Sequence, residues 1–228
     1  EAGIPYGAVS GLLRRQQSPL VSRYFSLPME ISRIKDVQVK YYTALRIALC
    51  QRIAAVLACN PSTLLLLADQ LNEHAEDLIA DIFDGTLRQD MRLPGALGEA
   101  LGGHFKQDKT SARKLARLLE QEGCLLPRTV WPDLNRLSVW KGGPMPFYLE
   151  RLPAKYGKAK IRDFGYMASE GRGTIPLSDE GSGGVAALTS HFFEFVPEEQ
   201  MDSQDKEYLT LAQLEVGQRY FIHFTTAS

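Results

Sequence analysis

The sequence has few of the residues that mark specialised protein classes. The three cysteines, Cys50, Cys59 and Cys124, are an odd number without metal-ligand spacing, which argues against a disulfide framework or a zinc site and indicates a reducing compartment. No apolar run reaches the roughly 18 residues that cross a bilayer, and no secretory signal is present. The formal net charge is only −1, which favours no polyanionic partner. We therefore expect a cytoplasmic protein that binds neither nucleic acid nor membrane.

What the sequence does contain is typical of a globular protein. Hydrophobic residues make up 44% and charged residues 23% of the 228 positions, which are ordinary proportions for a folded domain. This length can bury one large core or two smaller ones.

The first half of the chain is predicted to be helical. Apolar residues recur at helical spacing in three stretches: 36–57, a stretch from Pro61 to a closing Gly85, and 111–122. Asp36 and Asn60 are the predicted N-caps, and Gly123 is placed to end the third helix. Residues 87–103 are predicted to be a looser connection, and the basic residues of the third helix a solvated face.

From about residue 126 the pattern changes to short strands and turns. The predicted strands are 134–140, 160–164, 191–196, 208–211 and 220–225. A helix-rich part (1–125) followed by a strand-rich part (126–228) predicts an α/β protein with layered helices and sheets.

The most informative motif follows the predicted strand at 160–164. Tyr166, Ser169 and Glu170 place an aromatic ring, a hydroxyl and a carboxylate close together at a strand end, where ligands of α/β proteins gather. A ring can stack on a base, a hydroxyl can bond a phosphate, and a carboxylate can hold Mg²⁺. The alternative is an ordinary turn with a solvated Glu170 and a core Tyr166.

A second motif follows the predicted strand at 134–140. Gly142, Gly143 and Pro144 form a loop in which glycine would allow the backbone to approach a ligand closely. Trp140 and Met145 flank this loop and are candidates for lining a substrate pocket. The alternatives are a plain turn and residues that pack in the core.

Two further features of the sequence are possible sites. Ser62 and Thr63 begin a helix whose free N–H groups could bind an anion, although capping by Asn60 is the favoured role. The four histidines are scattered along the chain and give no catalytic triad: His74, His104, His191 and His223.

The order of these motifs resembles a known family. A strand leading to Gly-Gly is followed by Tyr-x-x-Ser-Glu, then by Phe-Glu-Phe-Val-Pro at 193–197, and then by an aromatic strand that runs into Thr225, Thr226 and Ala227. This order, together with Gly-Ile-Pro-Tyr-Gly at 3–7, resembles the Gretchen Hagen auxin-responsive family of acyl-acid amido synthetases. Those enzymes belong to the adenylate-forming superfamily, with acyl-CoA ligases and luciferase.

The resemblance implies a fold and a reaction. Residues 1–228 would be a single, partial N-terminal domain of an adenylate-forming enzyme, with layered helices and mixed β-sheets, incomplete at both ends. The reaction implied is a ligase reaction that uses ATP and Mg²⁺: a carboxylic acid becomes an acyl-adenylate, and an amino acid then displaces AMP to form an amide.

The resemblance also implies roles for the motif residues. Tyr166 matches the residue that packs on adenine, Ser169 the hydroxyl beside the phosphates, and Glu170 the catalytic, Mg²⁺-binding carboxylate. Ala168 belongs to the same nucleotide-binding motif, although Met167-Ala168 departs from the family's usual Ala-Ser. The loop from Gly142 to Pro144 would border the adenine and the acyl pocket, with Trp140 and Met145 as substrate contacts.

Two alternatives remain open at this point. One is an acyl-CoA ligase, which the Phe-Glu-Phe-Val-Pro segment disfavours; the other is a non-catalytic protein that binds a nucleotide or an acyl group. The family's phosphate loop is expected upstream of Gly3 and its ribose-binding aspartate beyond Thr226, so these 228 residues alone are expected to be inactive. The full reading frame would separate the alternatives.

Overall fold

The structure, a computed structural model, describes residues 18–168 and 171–225, without the side chain of Gln89. The chain divides into two compact units, Glu1–Arg162 and Asp163–Ser228, called the first and second unit below. The prediction of one partial domain concerns the intact protein and stays a prediction. No helix within the described residues is long and apolar enough to cross a membrane.

The first unit is mostly helical. Its helices are α1 (Pro19–Ser22), α2 (Val37–Ala48), α3 (Pro61–Glu73), α4 (Ala75–Asp84), α5 (Gly95–Gly102), α6 (Lys109–Glu122), α7 (Pro127–Val130), α8 (Pro146–Leu149) and α9 (Leu152–Tyr156), with 3-10 turns at Met29–Arg33 and Gln89–Met91. The predicted N-caps are confirmed, because the side chains of Asp36 and Asn60 accept backbone hydrogen bonds at the starts of α2 and α3. Gly85 and Gly123 end α4 and α6 in the left-handed conformation, at φ 76° and 68°, which glycine adopts without steric cost.

The helix predicted over 36–57 is wrong beyond Ala48. Helix α2 stops at Ala48, and Ala55–Leu57 form a strand, β1. This strand pairs in parallel with β2 (Arg136–Val139), with Val56 opposite Leu137. Pairing with a strand distant in sequence overrides the helical periodicity of the segment.

The helix predicted between Pro61 and Gly85 is two helices. His74 separates α3 from α4 with φ −105° and ψ 25°, outside the helical region. Its ring packs edge-on against Tyr42 of α2, with centroids 5.5 Å apart. The break therefore coincides with a side-chain contact to another helix, which helical spacing alone does not reveal.

The connection predicted over 87–103 contains helix α5. Glycine is a poor helix former, and three of the eight residues of α5 are glycine. Leu101 of this helix is fully buried in a small core with Ile31, Ile34 and Ile47. Apolar burial therefore stabilises a helix that its composition disfavours.

A three-stranded sheet completes the first unit. Its order is β1–β2–β3, where β3 is Lys160–Asp163. The predicted strands at 134–140 and 160–164 are confirmed with shorter bounds. Helices and sheet enclose one large core that includes Tyr42, Leu64, Leu71, Leu78, Ile82, Leu137, Val139 and Leu152.

The second unit is built on antiparallel strands. Its strands are β4 (Thr174–Ile175), β5 (Val185–Ala186), β6 (Phe192–Pro197) and β7 (Tyr220–Thr225), with 3-10 turns at Glu198–Gln200 and Leu211–Gln213. Strand β4 pairs with β5, and β6 pairs with β7. Phe193 and Phe195 of β6 are the centre of its core. Together, the parallel and antiparallel pairs confirm the predicted α/β class with mixed sheets.

The strand predicted at 208–211 is wrong. Only Leu209 pairs with a strand residue, through an isolated antiparallel bridge to Phe195. A 3-10 turn begins at Leu211, where the side chain of Gln213 accepts the backbone N–H of Thr210 (2.8 Å). This local side-chain bond ends the extended conformation. The short strands β4 and β5 were not predicted, because two residues are too few to show a period.

The N-cap of α6 makes the stability of the first unit depend on pH. Asp108 accepts the backbone N–H of Ser111 (2.9 Å), and hydrogen bonds from Ser111 lower the pKa of Asp108. The contribution is complete above the ordinary aspartate pKa, and it disappears as the pH falls through the lowered pKa of the folded state.

We expect Asp108→Ala to lower the free energy of unfolding by about 1 kcal/mol at neutral pH. The difference from the wild type should shrink as the pH falls below the usual aspartate range, measured by urea unfolding at a series of pH values. Asp108→Asn, which keeps an acceptor but no charge, is the control and should not contribute this pH dependence. A difference between Asp108→Ala and wild type that stays constant with pH would contradict the assignment.

Candidate functional site

One candidate site lies in the first unit, at the carboxyl ends of β1 and β2. The two strands are parallel, so both ends lie at the same edge of the sheet. Just beyond them, the N–H of Trp140 donates to the carbonyl of Cys59 (2.9 Å). Ligands of open α/β sheets bind beyond such ends. Trp140 is 36% exposed and lies outside the core, which leaves it accessible to a ligand.

The glycine loop follows directly. Gly143 has φ +61°, and a β-carbon there would meet nothing within 4 Å. Glycine is therefore suited to the backbone conformation, and the space above it is open. Gly142, Gly143 and Pro144 are all exposed, so the backbone of the loop is free to approach a ligand, as its predicted role requires.

Met145 marks the end of this loop. Its N–H donates to the carbonyl of Gly142 (3.4 Å), and its own carbonyl accepts the N–H of Tyr148 (2.9 Å) at the start of α8. The side chain is partly buried. Contact of Trp140 or Met145 with a substrate stays a prediction.

The N-terminus of α3 lies next to the end of β1 but is already occupied. The side-chain oxygen of Asn60 accepts the N–H of Ser62 (2.9 Å), and its carbonyl accepts the N–H of Thr63 (3.1 Å). These are the N–H groups that an anion would need. Capping is therefore the role that the structure gives to this turn.

A separate candidate site is a short antiparallel ladder in the second unit. Ala168 and Gly171 exchange backbone hydrogen bonds of 2.9 and 3.3 Å, and the N–H of Gly173 donates to the carbonyl of Tyr166 (2.8 Å). Met167 forms a bridge with Arg172 between these two pairs. The backbone is therefore hydrogen-bonded on both sides of the turn, at Ala168 before it and at Gly171 after it. Ser169 and Glu170, which link Ala168 to Gly171, lie outside the described residues.

Tyr166 is not a core residue. Tyr166 is 47% exposed, and its N–H donates to the hydroxyl of Thr174 (2.8 Å). The ring of Phe224 meets it edge-on, with centroids 6.5 Å apart at 89°. An exposed aromatic face with a fixed backbone is suited to stacking on a planar ligand.

The chain segment between β3 and this ladder is held in place by a buried carboxylate and a glycine. Asp163, at the end of β3, accepts the N–H of Gly165 (2.5 Å) and is buried. Gly165 has φ +82°, and a β-carbon there would lie 2.4 Å from the carbonyl oxygen of Thr174. No other residue fits this position without displacing the strand that follows.

Aromatic side chains support the ladder from within the second unit. His191 lies against Phe224 with centroids 5.5 Å apart and edge-on to Phe193 at 6.1 Å. A β-carbon on Gly171 would lie 2.3 Å from Nε2 of His191, while its Nδ1 is buried without a hydrogen-bond partner. His191 is therefore packed against the ladder.

Sequence reasoning missed the glycines at 165, 171 and 173. Their close spacing around Tyr166 was the available signal. Spacing alone cannot show that two of them lie under aromatic rings. Within the described part of the chain, no three His, Cys, Asp or Glu side chains are grouped as a metal site would require.

Comparison with known proteins decides the family. The model of the GH3 family N-terminal domain matches residues 1–161, which is well over half of the chain. The chain belongs to the GH3 family. The model of the GH3 family central domain matches residues 184–228, within the second unit. The resemblance recognised in the motifs is thereby confirmed.

Relatives with known names are similar over most of this GH3 family chain. The indole-3-acetic acid-amido synthetase GH3.3 of Arabidopsis thaliana is 26% identical over 222 residues, which are 93% of this chain and 37% of that protein. The solved structure of GH3.15 acyl acid amido synthetase matches with a TM-score of 0.72 at 20% identity, over 88% of this chain and 36% of that one.

A second solved structure, AtGH3.15 acyl acid amido synthetase in complex with 2,4-DB, matches with a TM-score of 0.70 at 21% identity. That match covers 84% of this chain and 34% of the other. At this identity the two structures show that the fold is shared. The chain spans little more than a third of the length of the relatives it matches.

Proposed function

We propose that the intact protein is a ligase that joins a carboxylic acid to an amino acid, with ATP as the energy source. The observation that carries the proposal is the match of the GH3 family N-terminal domain over residues 1–161. The named relatives, an indole-3-acetic acid-amido synthetase and an acyl acid amido synthetase, support amide formation as the overall reaction. In the proposed reaction the acid becomes an acyl-adenylate with release of pyrophosphate, and the amine then displaces AMP.

The difficulty of the first step is electrostatic. An anionic carboxylate must attack an anionic phosphate, and hydrogen-bond donors placed where charge develops lower that barrier. In the proposal, Ser169 donates its hydroxyl to the phosphates, and Ala168 lies in the backbone frame beside it. Mg²⁺, held by Glu170, would neutralise phosphate charge.

The proposal assigns binding of the nucleotide and of the acid to residues that the structure describes. The exposed ring of Tyr166 fits a base, and the open backbone at Gly142, Gly143 and Pro144 fits close approach of the adenine and the acyl group. Trp140 and Met145 are proposed to contact the acid. The solved relative with 2,4-DB supports a carboxylic acid with an apolar body as the substrate class.

The reaction can be tested directly on the intact protein. Pyrophosphate exchange into ATP that depends on an added carboxylic acid would support acyl-adenylate formation. Amide formed with an amino acid would support the proposed second step, whereas a thioester formed with coenzyme A would support an acyl-CoA ligase. Binding of AMP without any exchange, over a panel of aromatic and aliphatic acids, would favour a non-catalytic binding protein.

The nucleotide role of Tyr166 gives a quantitative prediction. We expect Tyr166→Ala to weaken AMP binding by about 1–3 kcal/mol, because the substitution removes a stacking surface. Isothermal titration of the intact protein with AMP measures this loss. The half-exposed ring limits any loss of folding stability, which thermal unfolding can check.

Tyr208→Ala is the matched control. Tyr208 is also about half exposed, at 51%, and meets another ring, that of His223, at 5.5 Å in the same unit. Its removal should leave AMP affinity unchanged. Equal AMP affinity in wild type and Tyr166→Ala would remove Tyr166 from the nucleotide site.

A further inference from the structure

The ring of Tyr166 lies directly on the backbone of Gly173. A β-carbon at Gly173 would be 2.2 Å from Cδ1 and 3.0 Å from Cε1 of the tyrosine. Gly173 is buried and is not among the glycines with positive φ. The backbone conformation therefore permits any residue there, and the tyrosine ring is what excludes a side chain.

A second contact, with Phe224, holds the edge of the Tyr166 ring. Phe224 of β7 meets Tyr166 edge-on at 6.5 Å. Phe224 is itself held by Phe193, directly opposite on β6, with centroids 5.9 Å apart, and by the tilted ring of His191 at 5.5 Å. Phe224 therefore packs against the core of the second unit.

The backbone of Tyr166 is hydrogen-bonded to Gly173 and to Thr174, the first residue of β4. Its carbonyl accepts the N–H groups of Gly173 (2.8 Å) and Thr174 (3.2 Å), and its own N–H donates to the hydroxyl of Thr174 (2.8 Å). With its backbone and two sides of the ring held, the ring has little freedom to rotate. Tyr166 is nevertheless 47% exposed, so part of the residue remains accessible to a ligand.

We propose that Gly173 and Phe224 are positioning residues that set the plane of the Tyr166 ring for the purine base of the nucleotide. This inference rests on the proposed function, in which that ring stacks on adenine. A ring that is already oriented loses little rotational freedom when the base binds, which favours affinity. A methyl group at position 173 would push the ring out of this plane without touching the ligand.

The test compares Gly173→Ala with Gly183→Ala in the intact protein. A β-carbon at Gly183 would meet nothing within 4 Å, so Gly183→Ala is a matched control in the same unit. Gly173→Ala should weaken AMP binding about tenfold, a large part of a stacking contribution. Gly183→Ala should stay within about twofold of wild type, as for an ordinary surface substitution.

A double-mutant cycle separates positioning from general damage. In a Tyr166→Ala background, Gly173→Ala should weaken AMP binding no further, because there is no ring to displace. If Gly173→Ala fails to fold, Phe224→Leu replaces it, with an expected loss of about threefold from the missing edge-to-face contact. A loss of equal size with and without Tyr166, or no loss in the folded variant, overturns the proposal.

A readout independent of nucleotide binding tests the contact itself. Fluorotyrosine placed at position 166 should give a ¹⁹F NMR signal that shifts in Gly173→Ala and not in Gly183→Ala, in the absence of nucleotide. An unshifted signal overturns the proposal whatever the AMP affinity. A shifted signal combined with unchanged AMP affinity in Tyr166→Ala would confirm the contact and reject both the nucleotide role of Tyr166 and the positioning role.

Discussion

Replacing Glu170 with glutamine in the intact protein is expected to lower the rate of acyl-adenylate formation by more than about 100-fold, similar to the loss of one oxyanion donor. Glutamine has nearly the same shape as glutamate, so the fold should be kept while the negative charge proposed to hold Mg²⁺ is lost. The interaction acts mainly on the transition state, so kcat should fall more than the affinity for the acid. Pyrophosphate exchange measures this directly.

Two controls make the Glu170 result specific. Glu180→Gln changes an exposed glutamate of the same unit and should leave the exchange rate within a few-fold of wild type. Raising the Mg²⁺ concentration should restore part of the activity of Glu170→Gln, because a weakened metal site fills at higher concentration. An exchange rate for Glu170→Gln close to that of wild type would remove Glu170 from the site.

The second large effect is expected in the first unit, at a buried carboxylate. Asp81 of α4 accepts hydrogen bonds from the hydroxyl of Tyr42 (2.6 Å), the hydroxyl of Thr86 (2.8 Å) and the N–H of Arg88 (2.9 Å). The fully buried guanidinium of Arg46 donates to the carbonyl of Asp81 (2.9 Å) and to that of Lys106 (3.2 Å). These bonds join α2 and α4 to the loop that follows α4 and to the loop that precedes α6.

We expect Asp81→Ala to lower the free energy of unfolding by roughly 3–5 kcal/mol, because three buried or half-buried donors lose their acceptor. Burial and the hydrogen bond to Asp81 raise the pKa of Tyr42 well above its usual range, so its hydroxyl remains a donor that needs a partner. Urea unfolding, followed by circular dichroism, gives the free energy.

Asp77→Ala is the matched control for Asp81→Ala. Asp77 lies one turn earlier on α4 and pairs with the guanidinium of Arg88, but its side chain is about half exposed. Exposed ion pairs contribute about 0–1 kcal/mol. Equal losses for the two substitutions would show that the buried network does not stabilise the first unit.

Local features of the fold could be predicted from the sequence. The N-cap at Asn60, the terminating glycines at 85 and 123, and the strand Tyr220–Thr225 all lie where the pattern placed them. Each depends on residues within about one turn or one strand, such as a side chain that bonds the N–H two or three positions on. The family was also readable from the order of motifs.

Elements that depend on distant partners could not be predicted. Residues Ala55–Leu57 are a strand because Arg136–Val139 lie beside them, and Gly95–Gly102 are a helix because Leu101 enters a core. Neither partner is near in sequence, so periodicity gave the wrong state for the first and none for the second.

The sequence by itself determined the candidate site as a set of residue types: a ring at 166, a hydroxyl at 169, a carboxylate at 170 and glycines at 142 and 143. Only the tertiary structure decided that Tyr166 lies on Gly173 with an exposed face, and that Arg46 and Asp81 share a buried network. The physical reason is that the functional group of a side chain is fixed by the residue type alone. Orientation and burial depend on neighbours that the folded chain brings together from distant positions.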